Sequence, residues 1–369
     1  MKIAILDMDD IKNPHWGSGQ AIATREICRR LSRKHSITVY SSKYPDWSDY
    51  AWKGISYKHI GFGTSNSKIN NLAYIFCLPF VVRKIKADII LEHFTAPIST
   101  CFTPLFTKLP VVGITSFFAS EQMSKKYKIN FNVVRNFGIM FYSYVIALNP
   151  THKEILKKLN PKIRIEVIPN GIEKKLFQHK ASEENYILFI GRLDVYQKGL
   201  DILIRAFSDC VKNISEDLYI AGDNATKKDK QTLTKLIEKH KLSDRVKLLG
   251  KVVGKEKERL LNNAKFMVFP SRYEGHSLSM LESMALGKAV LCFDIQDLSW
   301  VSHDSSLKVR PFDISKFSRS MTLLSKNSKI RHELGQNAKT GASEYTWEKT
   351  AVKYEEFLHG MLIAAARSM

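Results

Sequence analysis

Apolar runs of four to eight residues recur along this chain, each followed by a longer stretch with apolar residues three and four apart. The first series is Lys2–Asp7, Ser36–Ser41, Ile55–Phe62, Asp88–His93, Val111–Ser116 and Tyr144–Asn149. The second is Tyr186–Arg192, Asp217–Asp223, Val246–Val252, Ala264–Ser271, Lys288–Asp294 and Leu307–Pro311. Short Val/Ile/Leu-rich runs separated by helical patterns predict parallel sheets covered on both faces. Two such series predict an α/β protein of two doubly wound, Rossmann-like domains. Ligands of such folds bind beyond the carboxyl ends of the strands, which for two facing domains means the cleft between them. Pro169-Asn170-Gly171 is a turn signal, and a polar stretch through Glu184 follows it. The predicted domains are therefore 1–172 and 173–345. A last helical pattern, Thr346–Ala366, carries Trp347, Val352, Tyr354, Phe357 and Leu358.

Composition narrows the class. A chain of 369 residues with 44% hydrophobic and 25% charged residues suits two ordinary globular domains. Five scattered cysteines without a CxxC spacing fit reduced thiols and indicate no zinc site. The start, MKIAILDMDD, does not read as a signal peptide. Leu72–Val82 is apolar but shorter than the roughly 20 residues a membrane span needs, and Pro79 interrupts it, so it reads as a buried helix. The net charge of +21 is spread along the chain, with no nucleic-acid-binding motif beside it. Lysine-rich composition or attraction to an anionic membrane explains it better than nucleic acid.

The stretch SRYEGHSLSMLE (Ser271–Glu282) carries the most chemistry. Glu274 and Glu282 bracket a junction between a strand and a helix, Glu282 about two turns into the latter. Between them lie the first free N–H groups of the helix, a natural anion site. Two carboxylates around an anion site suit a ligand with both hydroxyls and a phosphate.

Four elements in this order resemble the GT-B glycosyltransferases of family 4: PNGI (Pro169–Ile172), FIGRLDVYQKGLD (Phe189–Asp201), VKLLGKV (Val246–Val252) and FPSRYEGHSLSMLESMALGKAV (Phe269–Val290). No single one is specific; together and at this spacing they are. The resemblance implies a retaining transferase using a UDP-, GDP- or ADP-sugar, with no metal or other cofactor. It implies that Arg192 and Lys198 clamp the diphosphate and that Glu274 meets the donor sugar near the reacting carbon. Glu282 would hold the ribose, and His276, Ser277 and Leu278 would line the sugar and phosphate pocket through their backbone. The base would stack near Gly222, read by the backbone of Lys251 and Val252. In the first domain, Gly17-Ser18-Gly19 stands where the family often has Gly-Gly and would meet the diphosphate. The terminal helix, 346–366, would pack back on the first domain.

One departure matters. Where the family usually carries a histidine, after Val111–Ser116, this chain has Ser116-Phe117-Phe118. His93, another familiar histidine position, is the nearest substitute, so His93 and Ser116 are candidate contacts to sugar or acceptor. Asp7-Met8-Asp9-Asp10 mimics a metal-binding DxD but reads as a turn or capping element. The acceptor side holds Met123–Tyr142, whose mixed cationic and aromatic residues suit either an anionic membrane surface or an amphipathic helix packed on its own sheet. These features imply a glycan or lipid-linked acceptor in envelope polysaccharide or lipopolysaccharide assembly, at a cytoplasmic location peripheral to the membrane. Two rivals are a GT-B sugar-nucleotide epimerase and a non-catalytic basic scaffold.

Overall fold

The computed structural model describes the chain except residues 15–18, 95–101, 117, 119, 181, 224–225 and 368–369, and the side chains of 122, 125–127 and 364–367. Gly17 and Ser18 therefore lie outside the described residues. The chain divides into two compact units, Met1–Asn170 with Trp347–Met369, and Gly171–Thr346.

The first unit runs β1 (Lys2–Leu6), α1 (Gly19–Leu31), β2 (Ser36–Ser42), β3 (Tyr50–Trp52), β4 (Ile55–Ile60), α2 (Ser67–Val82), β5 (Ile89–His93), β6 (Val111–Ile114), α3 (Ser120–Tyr127), α4 (Phe131–Gly138), β7 (Tyr144–Ala147), α5 (Pro150–Leu159) and β8 (Arg164–Val167). Its eight-stranded sheet has the order β3-β4-β2-β1-β5-β6-β7-β8. All pairs are parallel except β3 with β4. β5 is buried along its whole length, as a central strand covered on both faces must be. The order reverses between β1 and β5, so the ends of these two strands frame a topological switch point. The short edge strands β3 and β8 escape the hydrophobic pattern, because β8 (Arg-Ile-Glu-Val) is half exposed.

The second unit runs β9 (Tyr186–Ile190), α6 (Leu200–Cys210), β10 (Asp217–Ala221), α7 (Lys227–Lys239), β11 (Val246–Gly250), α8 (Gly254–Asn263), β12 (Phe266–Phe269), α9 (Leu278–Ala285), β13 (Val290–Phe293), β14 (Leu307–Val309), α10 (Ile314–Lys326) and α11 (Ser328–Ala342). Its parallel sheet is ordered β11-β10-β9-β12-β13-β14, with the switch point between β9 and β12. Polar caps set the helix starts. Thr226 and Asp229 form a capping box on α7, and the side chains of Ser277, Asp313 and Asn327 cap α9, α10 and α11.

The terminal helix α12 (Trp347–Arg367) belongs to the first unit, where it packs on α1. Trp347, Ala351, Tyr354, Leu358 and Met361 form its buried stripe. Val352, predicted in that stripe, is exposed, because it falls off the line those residues trace. Arg30 of α1 joins the helix through two bonds to Glu348, at 3.0 and 2.6 Å.

Two further expectations change. Glu282 is the fifth residue of α9, little more than one turn in, because Ser277 starts the helix late. The segment Leu72–Val82 is not a buried helix: α2 buries Asn70, Ala73, Tyr74, Leu78 and Val82 but leaves Leu72, Phe76 and Phe80 exposed.

Candidate functional site

In the second unit, the loops after β9 and β12 leave the switch point side by side. The β9 loop turns tightly, Lys198 N–H donating to Asp194 O at 3.0 Å and Leu200 N–H to Val195 O at 3.0 Å. Gly199 makes the approach of the two loops possible. Its φ is +64°, and a Cβ there would lie 1.9 Å from Pro270 O, at the end of β12. This close approach brings Lys198 Nζ to 2.6 Å from Glu274 Oε1. Ser271 Oγ donates to the same carboxylate oxygen at 2.6 Å. The Lys198 and Glu274 side chains are only 13% and 4% exposed, so the pair is nearly dry.

Neighbouring groups hold these loops. Arg192 Nη2 donates to Gln197 Oε1. Arg272 grips Asp201 with two bonds of 2.8 Å. Glu274 N–H donates to Asp297 Oδ2 at 2.9 Å. Burial pushes the Asp297 carboxyl up from its ordinary range; that N–H bond opposes the rise and the Glu274 charge adds to it. Burial likewise raises the Tyr273 phenol, with the Asp194 charge adding.

The other predicted donor residues fall around α9 and the ends of β10 and β11. Ser277 caps the helix by accepting from Met280 N–H, and Leu278 is its first residue. The His276 side chain is buried against Trp300, its ring stacked at 4.2 Å, with Tyr345 at 5.3 Å. Glu282 is engaged by Lys257 of α8, at 2.8 Å to one oxygen and 2.6 Å to the other. Gly222 has φ +147° and its N–H donates to Gly250 O at 2.7 Å. A Cβ on Gly222 would sit 1.8 Å from Gly191 O, so close strand packing requires this glycine whatever binds beside it. Lys251 and Val252 follow β11, with Lys251 exposed and Val252 buried.

A second constellation lies at the switch point of the first unit. Asp7, after β1, is fully buried. Gln20 Nε2 donates to its Oδ1 at 2.5 Å and Thr24 Oγ1 to its Oδ2 at 2.5 Å, both from α1. Thr24 Oγ1 also lies 3.0 Å from His93 Nε2, and His93 Nδ1 lies 2.5 Å from Ser116 Oγ. The carboxylate orders the protons along this chain of groups. Thr24 spends its one hydroxyl proton on Asp7, so its oxygen accepts from His93 Nε2–H. Nδ1 then accepts the Ser116 proton. Burial lowers the His93 pKa, with Asp7 opposing, a shift toward the neutral ring that this ordering uses. This ordering leaves the Ser116 oxygen as a hydrogen-bond acceptor. The hydrophobic and motif pattern did not single out Gln20 and Thr24. The only sequence signal was their one-turn spacing on the helix after WGSG. Gly19 is the first residue of α1.

Of the DMDD carboxylates, those of Asp7 and Asp10 are engaged within the protein. Asp7 accepts from Asp9 N–H at 3.0 Å. Buried Asp10 accepts from Lys12 N–H at 2.8 Å and Tyr50 Oη at 2.9 Å, and lies 2.8 Å from His59 Nε2. Among the described residues, His35, Glu355 and His359 form the one group able to hold a metal ion, with ligand atoms within 4.8 Å of one another. His35 immediately precedes β2, at the end of the sheet opposite the switch point, and Lys34 Nζ already bonds both Glu355 oxygens at 2.9 and 3.1 Å.

Two doubly wound units, each with polar side chains gathered at the switch point of its sheet, define an α/β class whose ligands bind beyond the carboxyl ends of the strands. Comparison with known proteins gives the family. Residues 17–176 match the model of glycosyltransferase family 4, and 171–341 that of glycosyl transferases group 1. The chain belongs to this family and is a glycosyltransferase. It is 28% identical over 267 residues to an uncharacterised glycosyltransferase of Methanocaldococcus jannaschii, covering 71% of this chain and 72% of that one. Among solved structures, sucrose-phosphate synthase from Thermosynechococcus elongatus has a TM-score of 0.81 at 17% identity, covering 98% of this chain and 99% of that one. Anabaena HepE in complex with UDP-glucose has a TM-score of 0.76 at 18% identity, covering 98% and 100%. Both share the two-domain GT-B fold found here.

Proposed function

We propose that this glycosyltransferase moves a sugar, with retention of configuration, from a nucleoside-diphosphate sugar to a hydroxyl of a glycan or lipid-linked acceptor. The observation that carries the reading is the nearly dry Lys198–Glu274 pair at the second unit's switch point. The UDP-glucose complex of a protein sharing this fold supports a nucleotide-sugar donor. The apolar residues exposed along α2, Leu72, Phe76 and Phe80, favour a lipid-linked acceptor in envelope polysaccharide or lipopolysaccharide assembly.

In this reading Arg192 and Lys198 stabilise the charge that builds on the departing diphosphate, as preorganised cations in a dry site do. Glu274 accepts hydroxyls of the sugar near the reacting carbon. Glu282 exchanges Lys257 for the ribose diol, and the start of α9 meets the phosphates. The acceptor hydroxyl attacks the anomeric carbon on the face from which the diphosphate leaves, and a departing phosphate oxygen takes its proton, so configuration is retained without a covalent intermediate on the protein. The two cations carry the charge that a divalent ion carries elsewhere, so activity should survive EDTA. In the first unit Ser116, ordered by His93, accepts a sugar hydroxyl where relatives of this pattern use a histidine.

A thermal-shift screen against UDP-, GDP- and ADP-sugars tests the donor. Ligand at about a hundred times its dissociation constant stabilises by roughly 2.7 kcal/mol. No shift with any of the three would overturn the reading. Conversion of the donor sugar without acceptor would instead favour an epimerase on the same fold.

A further inference from the structure

We infer that the outer face of α2, with the adjoining turn at Thr103–Leu105 and α4, is a surface that docks on an anionic lipid bilayer. The inference refines the acceptor side of the proposed function but rests on the first unit's surface alone.

Ile69, Leu72, Phe76 and Phe80 lie three or four residues apart on α2, and all are exposed, Phe76 by 73%. The opposite face of the helix fills the core with Tyr74, Leu78 and Val82. α2 is therefore apolar on both sides, although Leu72, Phe76 and Phe80 on its outer side are left exposed by the described residues. A helix that packs on its own sheet and meets water is expected to carry polar residues there. Phe62, shortly before α2, is 70% exposed as well. The patch continues across the fold. The turn at Thr103–Leu105 packs on α2 and exposes Leu105. Phe102, at its start, meets the rings of Phe137 and Phe141 at 6.0 and 6.1 Å. Phe137, Val133 and Met140 are exposed in turn along α4 and the turn after it. Contiguous apolar surface of this kind marks a binding face.

Charge selects the occupant. No Asp or Glu occurs between Tyr50 and Ala87, and Glu121 is the only acid between His93 and Lys153. Lys68 flanks the start of the α2 face, and Arg83 and Lys84 its end, all three exposed. Arg83 lies over the Phe106 ring at 5.8 Å, at the junction with the turn. Arg135 stands on α4. An apolar centre with a cationic rim and almost no acid matches the boundary of an anionic bilayer. A second copy of the chain would set the same cations against each other. Among the described residues no helix is long and apolar enough to cross a membrane, so α2 lies along the surface.

Flotation of the full chain with mixed phosphatidylcholine–phosphatidylglycerol vesicles tests this. Wild type should co-float, at least about tenfold more weakly on pure phosphatidylcholine, and weakening with added salt. Phe76→Asp with Phe80→Asp should lower partitioning by about tenfold or more. Both side chains are exposed, so this double variant should keep its melting temperature and its donor-induced thermal shift. Phe76→Trp should show blue-shifted emission, and quenching by brominated lipid, only with anionic vesicles. Co-flotation undiminished in the Asp variant, an unshifted tryptophan, or equal binding to neutral vesicles would overturn the inference. So would concentration-dependent dimers of wild type that the Asp variant abolishes without any vesicle binding. None of these readouts needs a nucleotide sugar, so the docking surface and the donor assignment fail separately.

Discussion

Lys198 Nζ lies 2.6 Å from Glu274 Oε1, joining the loop after β9 to the loop after β12. With so little solvent around them, the cation and carboxylate neutralise each other. The two partners should respond differently to substitution. Glu274→Gln keeps the size and an acceptor for Ser271 but leaves the Lys198 cation without its anion, so it too should lower the melting temperature, by less than Lys198→Ala because Lys198 is the more exposed partner. Transfer should fall by about a hundredfold or more, the scale of losing a preorganised polar group at a reacting centre. Lys198→Ala leaves a buried carboxylate without its cation, which costs about 3–5 kcal/mol. Denaturant melts beside single-turnover transfer rates separate the effects. Near wild-type transfer by Glu274→Gln would sink the assignment.

The chain Asp7–Thr24–His93–Ser116 predicts a second split. Ser116→Ala removes one hydroxyl at the end of the chain and should cost about 1 kcal/mol of stability. Its larger effect should be on the choice of donor sugar, with kcat/KM for the preferred sugar falling about tenfold against its epimers. Thr24→Val keeps the shape but deprives both Asp7 and His93 of a partner. Because both are buried, it should destabilise by about 2 kcal/mol or more. Equal discrimination by Ser116→Ala and wild type would show that Ser116 does not touch the sugar.

Much of this architecture was legible because parallel strands are buried on both faces and so write continuous apolar runs. β9, Tyr-Ile-Leu-Phe-Ile, is buried at every position. β8, half exposed at an edge, left no such run. Arg192, Lys198 and Glu274 could be named as candidates because they lie on two loops whose motifs resemble those of a known family, and Glu282 because it follows the second of them. Their partners could not, since Lys257, Asp297 and Ser271 are ordinary polar residues until the fold brings them to Glu282 and Glu274. The exposed face of α2 was misread for a physical reason. Its apolar residues surround the helix, and sequence alone does not distinguish a helix covered by protein from one left uncovered.

Glycine substitutions test how Lys198 is placed. Gly199 and Gly254 both have positive φ, +64° and +58°. A Cβ at Gly254 meets nothing within 4 Å, whereas one at Gly199 meets Pro270 O at 1.9 Å. Gly254→Ala should therefore cost only the conformational strain, about 1 kcal/mol. Gly199→Ala should cost clearly more, because the loop must move off the β12 carbonyl and take Lys198 away from Glu274. Melting temperatures of the two variants, measured with and without nucleotide sugar, check this. A larger loss for Gly254→Ala would contradict the close approach.

His152 predicts how the protein responds to acid. Its ring is buried under Phe118, centroids 5.3 Å apart, with Nδ1 2.9 Å from Thr115 Oγ1. Burial pushes its pKa down from 6.5 to about 4. In the unfolded chain the group takes up a proton near pH 6.5, while the folded protein resists until about 4. The unfolded state therefore binds more protons across that window, and stability falls as pH falls through it. Between pH 7 and pH 5 this one group should account for a loss of about 2 kcal/mol. Buried His93, also lowered by burial, adds in the same direction. His152→Gln removes one of the two contributions, so its urea-unfolding free energy should fall less than that of wild type over the same interval, by about 2 kcal/mol. The variant has a cost of its own at pH 7, which cancels when slopes rather than absolute stabilities are compared. Parallel slopes for the two proteins would mean that His152 protonates as readily in the folded chain as in the unfolded one.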